Sequence, residues 1–295
     1  HLEPAGVHSG DSTAVIPPFS IDKTMIEEIK NKSIQLALGL NVIGLLNIQF
    51  AIQNNELFIL EANPRASRTM PFVAKVTGNQ IIKAGTLLML GHSLEDIKVK
   101  TKYLNSTTEK IAVKKAIFPW SRFPAEDTML GPEMKATGEV LGIGNDFGTA
   151  LNKAYAAAGV SIGEKEKGVF VTLSDNEKPN FVEIVKRYVE LGFLIYTTEG
   201  TGKYLKINGV DSINVGRAND KSPTSLTIIE EKLISLVINT PTYANEYTDG
   251  WKIRRLSHDS GVAVVSSVRE AEAFLEAFLL QEKVLEDMEA IQNVS

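Results

Sequence analysis

The sequence predicts an α/β protein: a hairpin-bearing lobe followed by a doubly wound, mostly parallel sheet. Three observations carry this. Residues 44–72, GLLNIQFAIQNNELFILEANPRASRTMPF, read as two strands joined at Asn54-Asn55 and closed by a Pro-broken polar segment. Beyond Gly168 the pattern changes to short strand, helix, short strand, repeated, which implies a parallel sheet with helices on both faces. Between the two, residues 159–168 are rich in Gly, Lys and Glu and read as a linker. A chain of 295 residues has room for about two domains, each with its own core.

Taken in order, residues 1–12, HLEPAGVHSGDS, form a polar loop. Its backbone N–H groups and small hydroxyls could line a nucleotide, with His8 in reach of a ribose or base edge. Residues 20–40 form an amphipathic helix, with Ser20 as N-cap and Met25, Ile29, Ile34 and Leu38 at near-helical spacing. In the hairpin, Leu46, Ile48 and Phe50 alternate with Asn47, Gln49 and Ala51. Phe58, Ile59 and Leu60 run unbroken, which predicts a central second strand. Residues 70–91 form two helical pieces split by Gly78, the first carrying Val73 and Val76, the second Ile81, Ile82, Leu87 and Leu88. Residues 93–105 lose periodicity. Residues 110–118 read as a strand, 119–144 as a Pro- and Gly-punctuated connection, and 146–158 as an Ala-rich helix. After the linker, strands are expected at 169–173, 193–196, 212–215, 234–238 and 262–265, and helices at 179–191, 201–208, 226–231 and 269–291.

Composition narrows the function classes. Apolar residues make up 43% and charged residues 23%, the balance of a globular protein. The net charge of −5 gives no general attraction to nucleic acid or to an anionic membrane, and neither is expected as a partner. The absence of Cys excludes disulfides, thiolate metal sites and Cys nucleophiles and fits a reducing compartment. The longest apolar runs fall short of a membrane span, no signal-peptide pattern opens the chain, and a cytoplasmic location is expected. Because the chain opens inside a polar motif, a piece of a longer polypeptide is expected.

Two groups of residues carry candidate chemistry. In the hairpin, Gln49 and Glu61 are placed to face each other, and Asn63 lies two residues beyond Glu61 on the same face. This oxygen-only set suits Mg²⁺ or Mn²⁺ rather than zinc. Arg65 and Arg68 follow and suit phosphate oxygens beside the metal. The bland alternative is a hairpin with a solvated polar end. In the second half, ligands are expected at the carboxyl ends of the strands. Thr172, Thr198, Thr201, Arg217 and Asn239 stand there, with Lys178 at the start of its helix. Gly200 and Gly202 permit an anion-cradling turn, and together these residues describe a phosphate pocket. The alternative is that each Thr only caps a helix.

The stretches AGVHSGDS, GLLNIQFAIQNNELFILEANPRASRTMPFVAKVTG and LGPEMKATGEV, with the later strand-end pattern, resemble the C-terminal part of the carbamoyl phosphate synthetase large subunit. The resemblance implies that residues 1–91 are the C-terminal lobe of the second ATP-grasp module, 92–158 the remainder of the carbamoyl-phosphate-forming domain, and 159–295 a methylglyoxal-synthase-like allosteric domain. It implies ATP-dependent phosphorylation of carbamate for pyrimidine and arginine biosynthesis, with ATP and two Mg²⁺ or Mn²⁺ ions. Gly6, Val7, His8, Ser9, Gln49 and Glu61 match nucleotide-binding positions, Gln49, Glu61 and Asn63 metal positions, and Arg65 and Arg68 positions near the transferred phosphoryl group. Thr172, Lys178, Thr198, Thr201 and Asn239 match effector-phosphate positions, and Arg217 stands at one where the family can have Lys, the effector being a nucleoside monophosphate, uridylate or inosinate. The implied partners are a glutamine-hydrolysing small subunit and the missing N-terminal part of the large subunit, in a hetero-oligomer. Glu3 and Asp11 match carboxylates through which bacterial relatives hold ornithine. Lys115 replaces a third, and Val264, Val265 and Ser266 stand where those relatives have Tyr-Asp-Thr, so little ornithine response is expected. Two other readings stay open: a non-catalytic nucleotide-responsive module, and another ATP-grasp carboxylate ligase.

Overall fold

The computed structural model describes residues 1–98, 110–160, 162, 167–221, 223–240 and 248–280. The chain forms two compact units: His1–Ala14 with Val113–Asp287, and Val15–Ala112. None of its described helices is long and apolar enough to cross a membrane.

The first strand, β1 (Ala14–Ile16), leads to helix α1 (Lys23–Gly39). The N-cap is Asp22, not Ser20: its Oδ1 accepts the Met25 N–H at 2.9 Å, satisfying one orphan donor of the first turn. Met25 is buried, but Ile34 and Leu38 are 57% and 72% exposed, against their expected inward placement. Strands β2 (Asn47–Gln53) and β3 (Glu56–Asn63) form the hairpin. Asn54 and Asn55 both adopt positive φ, 51° and 63°, as a two-residue hairpin turn with right-handed strand twist requires. The expectation that β3 is central is corrected. Among the described residues it pairs with β2 alone in a two-stranded sheet, and Phe58, Ile59 and Leu60 are 44–47% exposed. Their apolar run has no covering layer among the described residues. Helices α2 (Thr69–Thr77) and α3 (Ile81–Met89) are split by Gly78, which takes the left-handed C-cap conformation at φ 67°. Val76 is buried; Ile82 is 37% exposed. A short helix, α4 (Leu94–Lys98), occupies part of the segment read as aperiodic, opened by a reciprocal Ser93–Asp96 cap. The rest of that segment lies outside the described residues.

In the other unit, β4 (Ile111–Ile117) is followed by β5 (Gly138–Gly144), a strand where the sequence read only punctuation. Together with β1 they form a sheet in the order β1-β4-β5. Helix α5 (Phe147–Ala157) is capped by Asp146, whose Oδ1 accepts the Thr149 N–H at 2.7 Å. A Cβ on Gly142 would lie 2.1 Å from the Ala150 carbonyl oxygen, so α5 packs on β5 at a distance only glycine allows.

Then come β6 (Gly168–Thr172), α6 (Lys178–Glu190), β7 (Ile195–Thr197), α7 (Glu199–Ile207), β8 (Ile213–Asn214), α8 (Ser225–Glu230), β9 (Ile234–Asn239), α9 (Asp249–Asp259), β10 (Ala263–Val265) and α10 (Val268–Leu279). The sequence missed α9; the expected extension of α10 beyond 280 lies outside the described residues. The five strands are all parallel, in the order β10-β9-β6-β7-β8. Val169, Phe170, Val171, Leu236, Val237 and Ile238 are fully buried, so both faces of the sheet are covered. Phe170 and Val237 face one core with Ile228, Ile229 and Ile253 from α8 and α9. After β6 the chain adds strands on one side; after β8 it crosses to the other. The switch point lies between β6 and β9, where Thr172 pairs in register with Asn239.

Candidate functional site

The hairpin register sets Gln49 directly opposite Glu61 and Asn47 opposite Asn63. Side chains alternate along a strand, so Gln49, Glu61 and Asn63 share one face, joined by Asn47, which sequence reading did not single out. A bulge next to Gln49 leaves Leu60 without a partner across the ladder, a device that re-aims neighbouring side chains. The Arg65 N–H bonds back to the Asn63 carbonyl at 2.8 Å, folding the chain tightly past Pro64. Arg65 and Arg68 are both exposed, Arg68 at the N-cap position of α2. Only Glu61 in this set carries charge, and among the described residues no three His, Asp or Glu side chains converge. The donors are all oxygen, so they fit a hard divalent cation that takes its remaining ligands from phosphate oxygens and water, and not a protein-only cage.

Gly6, Val7, His8 and Ser9 belong to the other compact unit. The loop is tied down through its backbone. The His8 N–H donates to the Gly131 carbonyl at 2.8 Å, and Asp11 and Ser12 N–H groups donate to the His8 carbonyl. His8 Nδ1 accepts the Gly10 N–H at 3.0 Å, which leaves Nε2 as the ring nitrogen free to reach a ligand. Lys114, unnoticed in the sequence, is 1% exposed and donates to the Ser9 and Gly10 carbonyls at 3.2 Å each; burial pulls its pKa down. Asp11 is fully buried and spends both oxygens on the Lys135 and Ala136 N–H groups at 2.8 and 2.9 Å.

Glu3 accepts the Thr13 N–H and hydroxyl at 2.6 and 2.7 Å and lies 3.8 Å from Lys115 Nζ. That ammonium also stands 4.7 Å over the Tyr155 ring. Burial opposes its charge, but Tyr155, Glu3 and Glu270 outweigh burial and raise its pKa. Burial, then repulsion from Glu3, pushes Glu270 up. Glu270 is held by the Ser266 N–H and by the Ser266 and Ser267 hydroxyls.

The second place is a cavity of about 1250 Å³ at the carboxyl ends of the parallel strands. Thr172, Lys178, Thr198, Thr201, Arg217 and Asn239 all line it. Thr198 is the N-cap of α7, yet its side chain makes no capping bond; its hydroxyl instead approaches Thr172 and Thr201. Gly200 and Gly202 lie within the first turn of α7, not in a separate turn. A Cβ on Gly202 would sit 2.1 Å from Asn214 Oδ1, so this glycine is required by packing, while Gly200 borders the Lys178 ammonium. Lys178 Nζ bonds to Asp175 at 2.5 Å. Ser225 also lines the cavity; it is fully buried and its hydroxyl has no hydrogen-bond partner among the described residues. Arg254 and Asp127, neither noticed in the sequence, complete the wall. No local signature could reveal them as a pair, because they lie 127 residues apart. The arrangement offers hydroxyls, a helix N-terminus and cations to one anion.

Residues 3–97 match the family model described as "Carbamoyl-phosphate synthase L chain, ATP binding domain", and residues 180–266 match that of the "MGS-like domain". The chain is 41% identical to the carbamoyl phosphate synthase large chain, C-terminal section, of Aquifex aeolicus, over 97% of this chain and 56% of that protein. It is 40% identical to the corresponding C-terminal section of Methanocaldococcus jannaschii, over 94% of this chain and 46% of that one. It is likewise 40% identical to the carbamoyl phosphate synthase large chain of Synechocystis, over 99% of this chain and 27% of that protein. The chain thus spans about half or less of the length of these relatives.

Proposed function

Because the chain belongs to the family of carbamoyl phosphate synthase large chains, we propose that it is the C-terminal portion of such a chain and supplies half of an ATP-dependent, carbamate-phosphorylating site together with a nucleotide-responsive domain. In this reading residues 1–91 are the ATP-grasp lobe, 92–158 the remainder of the synthetic domain, and 159–295 the allosteric domain. The observation that carries it is the Gln49–Glu61 pair, set face to face with Asn63 beside it and Arg65 and Arg68 following. Two bound Mg²⁺ or Mn²⁺ ions would neutralise charge on the ATP phosphates. Gln49, Glu61 and Asn63 present the oxygens that hold them. Arg65 and Arg68, both exposed, are positioned after the turn to stabilise charge on the phosphoryl group in transfer. Gly6 to Ser9 offer backbone groups and His8 Nε2 to the nucleotide. No side-chain nucleophile is needed, because a carbamate oxygen attacks the γ-phosphorus directly while the bond from that phosphorus to the β,γ-bridging oxygen breaks and ADP leaves. The remainder of the large chain and a glutamine-hydrolysing subunit complete the enzyme in the cytoplasm, and the cavity of the second domain takes uridylate or inosinate.

Glu61→Gln in the whole enzyme tests the assignment. Replacing the one charged ligand by an amide of the same shape should lower carbamoyl phosphate synthesis by roughly 10²–10³-fold. Near-normal synthesis by a folded variant would sink the reading.

A further inference from the structure

Among the described residues, one ion pair in the strand-end cavity differs in kind from the rest. Lys178 is paired with Asp175, whose side chain is 91% exposed, and Lys203 with Glu199, where both are more than 70% exposed. Such pairs are weak and easily given up to a better anion. Arg254 is 9% exposed and gripped from two sides. Its Nε donates to Asp127 Oδ1 at 2.9 Å and its Nη2 to Asp127 Oδ2, while Nη1 donates to Asn239 Oδ1 at 2.8 Å. Asn239 closes the switch-point strand, so the guanidinium sits where a ligand phosphate would be received. These bonds use three of its five N–H groups. Burial acts against the Asp127 carboxylate, but Arg254 outweighs it and keeps its pKa below the ordinary range.

Asp127 also belongs to the segment that holds the N-terminal loop. Lys135 Nζ donates to the Asp127 and Met129 carbonyls at 3.2 Å each. The Lys135 and Ala136 N–H groups donate to Asp11, and the Gly131 carbonyl accepts the His8 N–H. One continuous stretch, 127–136, thus has Arg254 at one end and the turn from His8 to Ser12 at the other.

We propose that Arg254 is an anion-exchange switch: a phosphate dianion entering the cavity competes with Asp127 for the guanidinium, and the change in Asp127 pairing is passed along residues 127–136 to the His8–Ser12 turn. Asp127 is the internal competitor that occupies the switch when the cavity holds no anion. The competition is what makes binding and transmission reciprocal, since a ligand shifts a two-state element only by favouring one of its states. The proposal rests on the phosphate-pocket reading above.

The test compares the 295-residue chain with Asp127→Asn, using uridine 5′-monophosphate and inorganic phosphate in calorimetry at low salt. Removing the competitor should tighten nucleotide binding at least about fivefold. At the same time the nucleotide should alter amide exchange at Asp11 and Ser12 in the parent chain and cease to do so in Asp127→Asn. A merely structural ion pair would weaken binding when broken. Should Asp127→Asn not fold, Asp127→Ser is read in the same way, and the Arg254 Nε–H resonance of the parent chain must shift on adding nucleotide. Binding by the parent chain without a gain in either variant, or an unmoved Arg254 resonance, overturns the switch alone. No heat from any of the chains with either probe at millimolar concentration overturns the pocket reading and the switch with it.

Discussion

The hairpin and the strand-end cavity are opposites in how they treat polar side chains. At the hairpin, Glu61, Arg65 and Arg68 are exposed, the apolar run of β3 is half bare, and Glu61 shares its face of the hairpin with the neutral amides Asn47, Gln49 and Asn63. In the cavity unit the buried cations are already matched: Arg254 with Asp127, and, in a separate buried cluster, Lys115 with Glu3 and Glu270. A site left open needs its partners from outside, whether nucleotide, cation or the remainder of a longer chain. A site closed on itself must be opened by competition. The comparison separates residues whose loss costs function from residues whose loss costs the fold.

Breaking it is simplest at its extremes. Lys115→Met should lower the unfolding free energy in urea by about 3–5 kcal/mol, because it strands the Glu3 and Glu270 carboxylates beside an apolar side chain. Glu61→Gln, on the exposed hairpin, should shift stability by less than about 0.5 kcal/mol while removing synthesis. Equal stability losses in the two variants would erase the distinction. The same buried ammonium should repel a second cation, so added ornithine should give no saturable activation of the whole enzyme.

Within the cavity the contrast becomes one of affinity. Losing a charge-assisted phosphate bond is worth roughly 1.5–3 kcal/mol, so Lys178→Ala should weaken uridylate binding by roughly ten- to a hundredfold in calorimetry. Thr198→Val removes a neutral hydroxyl and should cost only about a few-fold. An order reversed between these two would mean that the helix N-terminus, not the ammonium, dominates recognition.

The smallest effect concerns acidity. Burial lowers the pKa of His258 on α9 below its ordinary 6.5. The folded protein therefore resists protonation there, so this residue's contribution to stability is present above 6.5 and is lost as the pH falls through the lowered value. His258→Gln should flatten the decline in urea midpoint between about pH 7.5 and 5.5. An unchanged slope would show that the imidazole is accessible to protons in the folded state.

What could be read in the sequence followed from local rules. The hairpin register was legible because Asn54-Asn55 fixes the turn, and the strand ends of the second half because period and Gly stops mark them. Strand β5 escaped because three of its seven residues are glycine, two of which, Gly142 and Gly144, are used here for contact with α5 rather than for turning. Helix α9 escaped because its inward face is Arg254, Arg255 and Ser257 as much as Ile253. The exposure of Ile34, Leu38 and the β3 run could not be foreseen, since periodicity reveals which side is apolar and not whether anything covers it.

Asn152 bears on how far this chain is modular. Its amide, on α5, donates to the Gly148 carbonyl at 3.0 Å and across to the Ala277 carbonyl of α10 at 2.7 Å, and Tyr155 meets Phe274 edge-on at 4.8 Å. Helix α5 precedes the linker and α10 ends the second half. A cut at residue 159 would thus peel off a helix that the last domain treats as its own. Anyone transplanting the second half onto another protein should carry residues 1–14 and 113–158 along as part of the graft, because the seam in the sequence is not a seam in the packing.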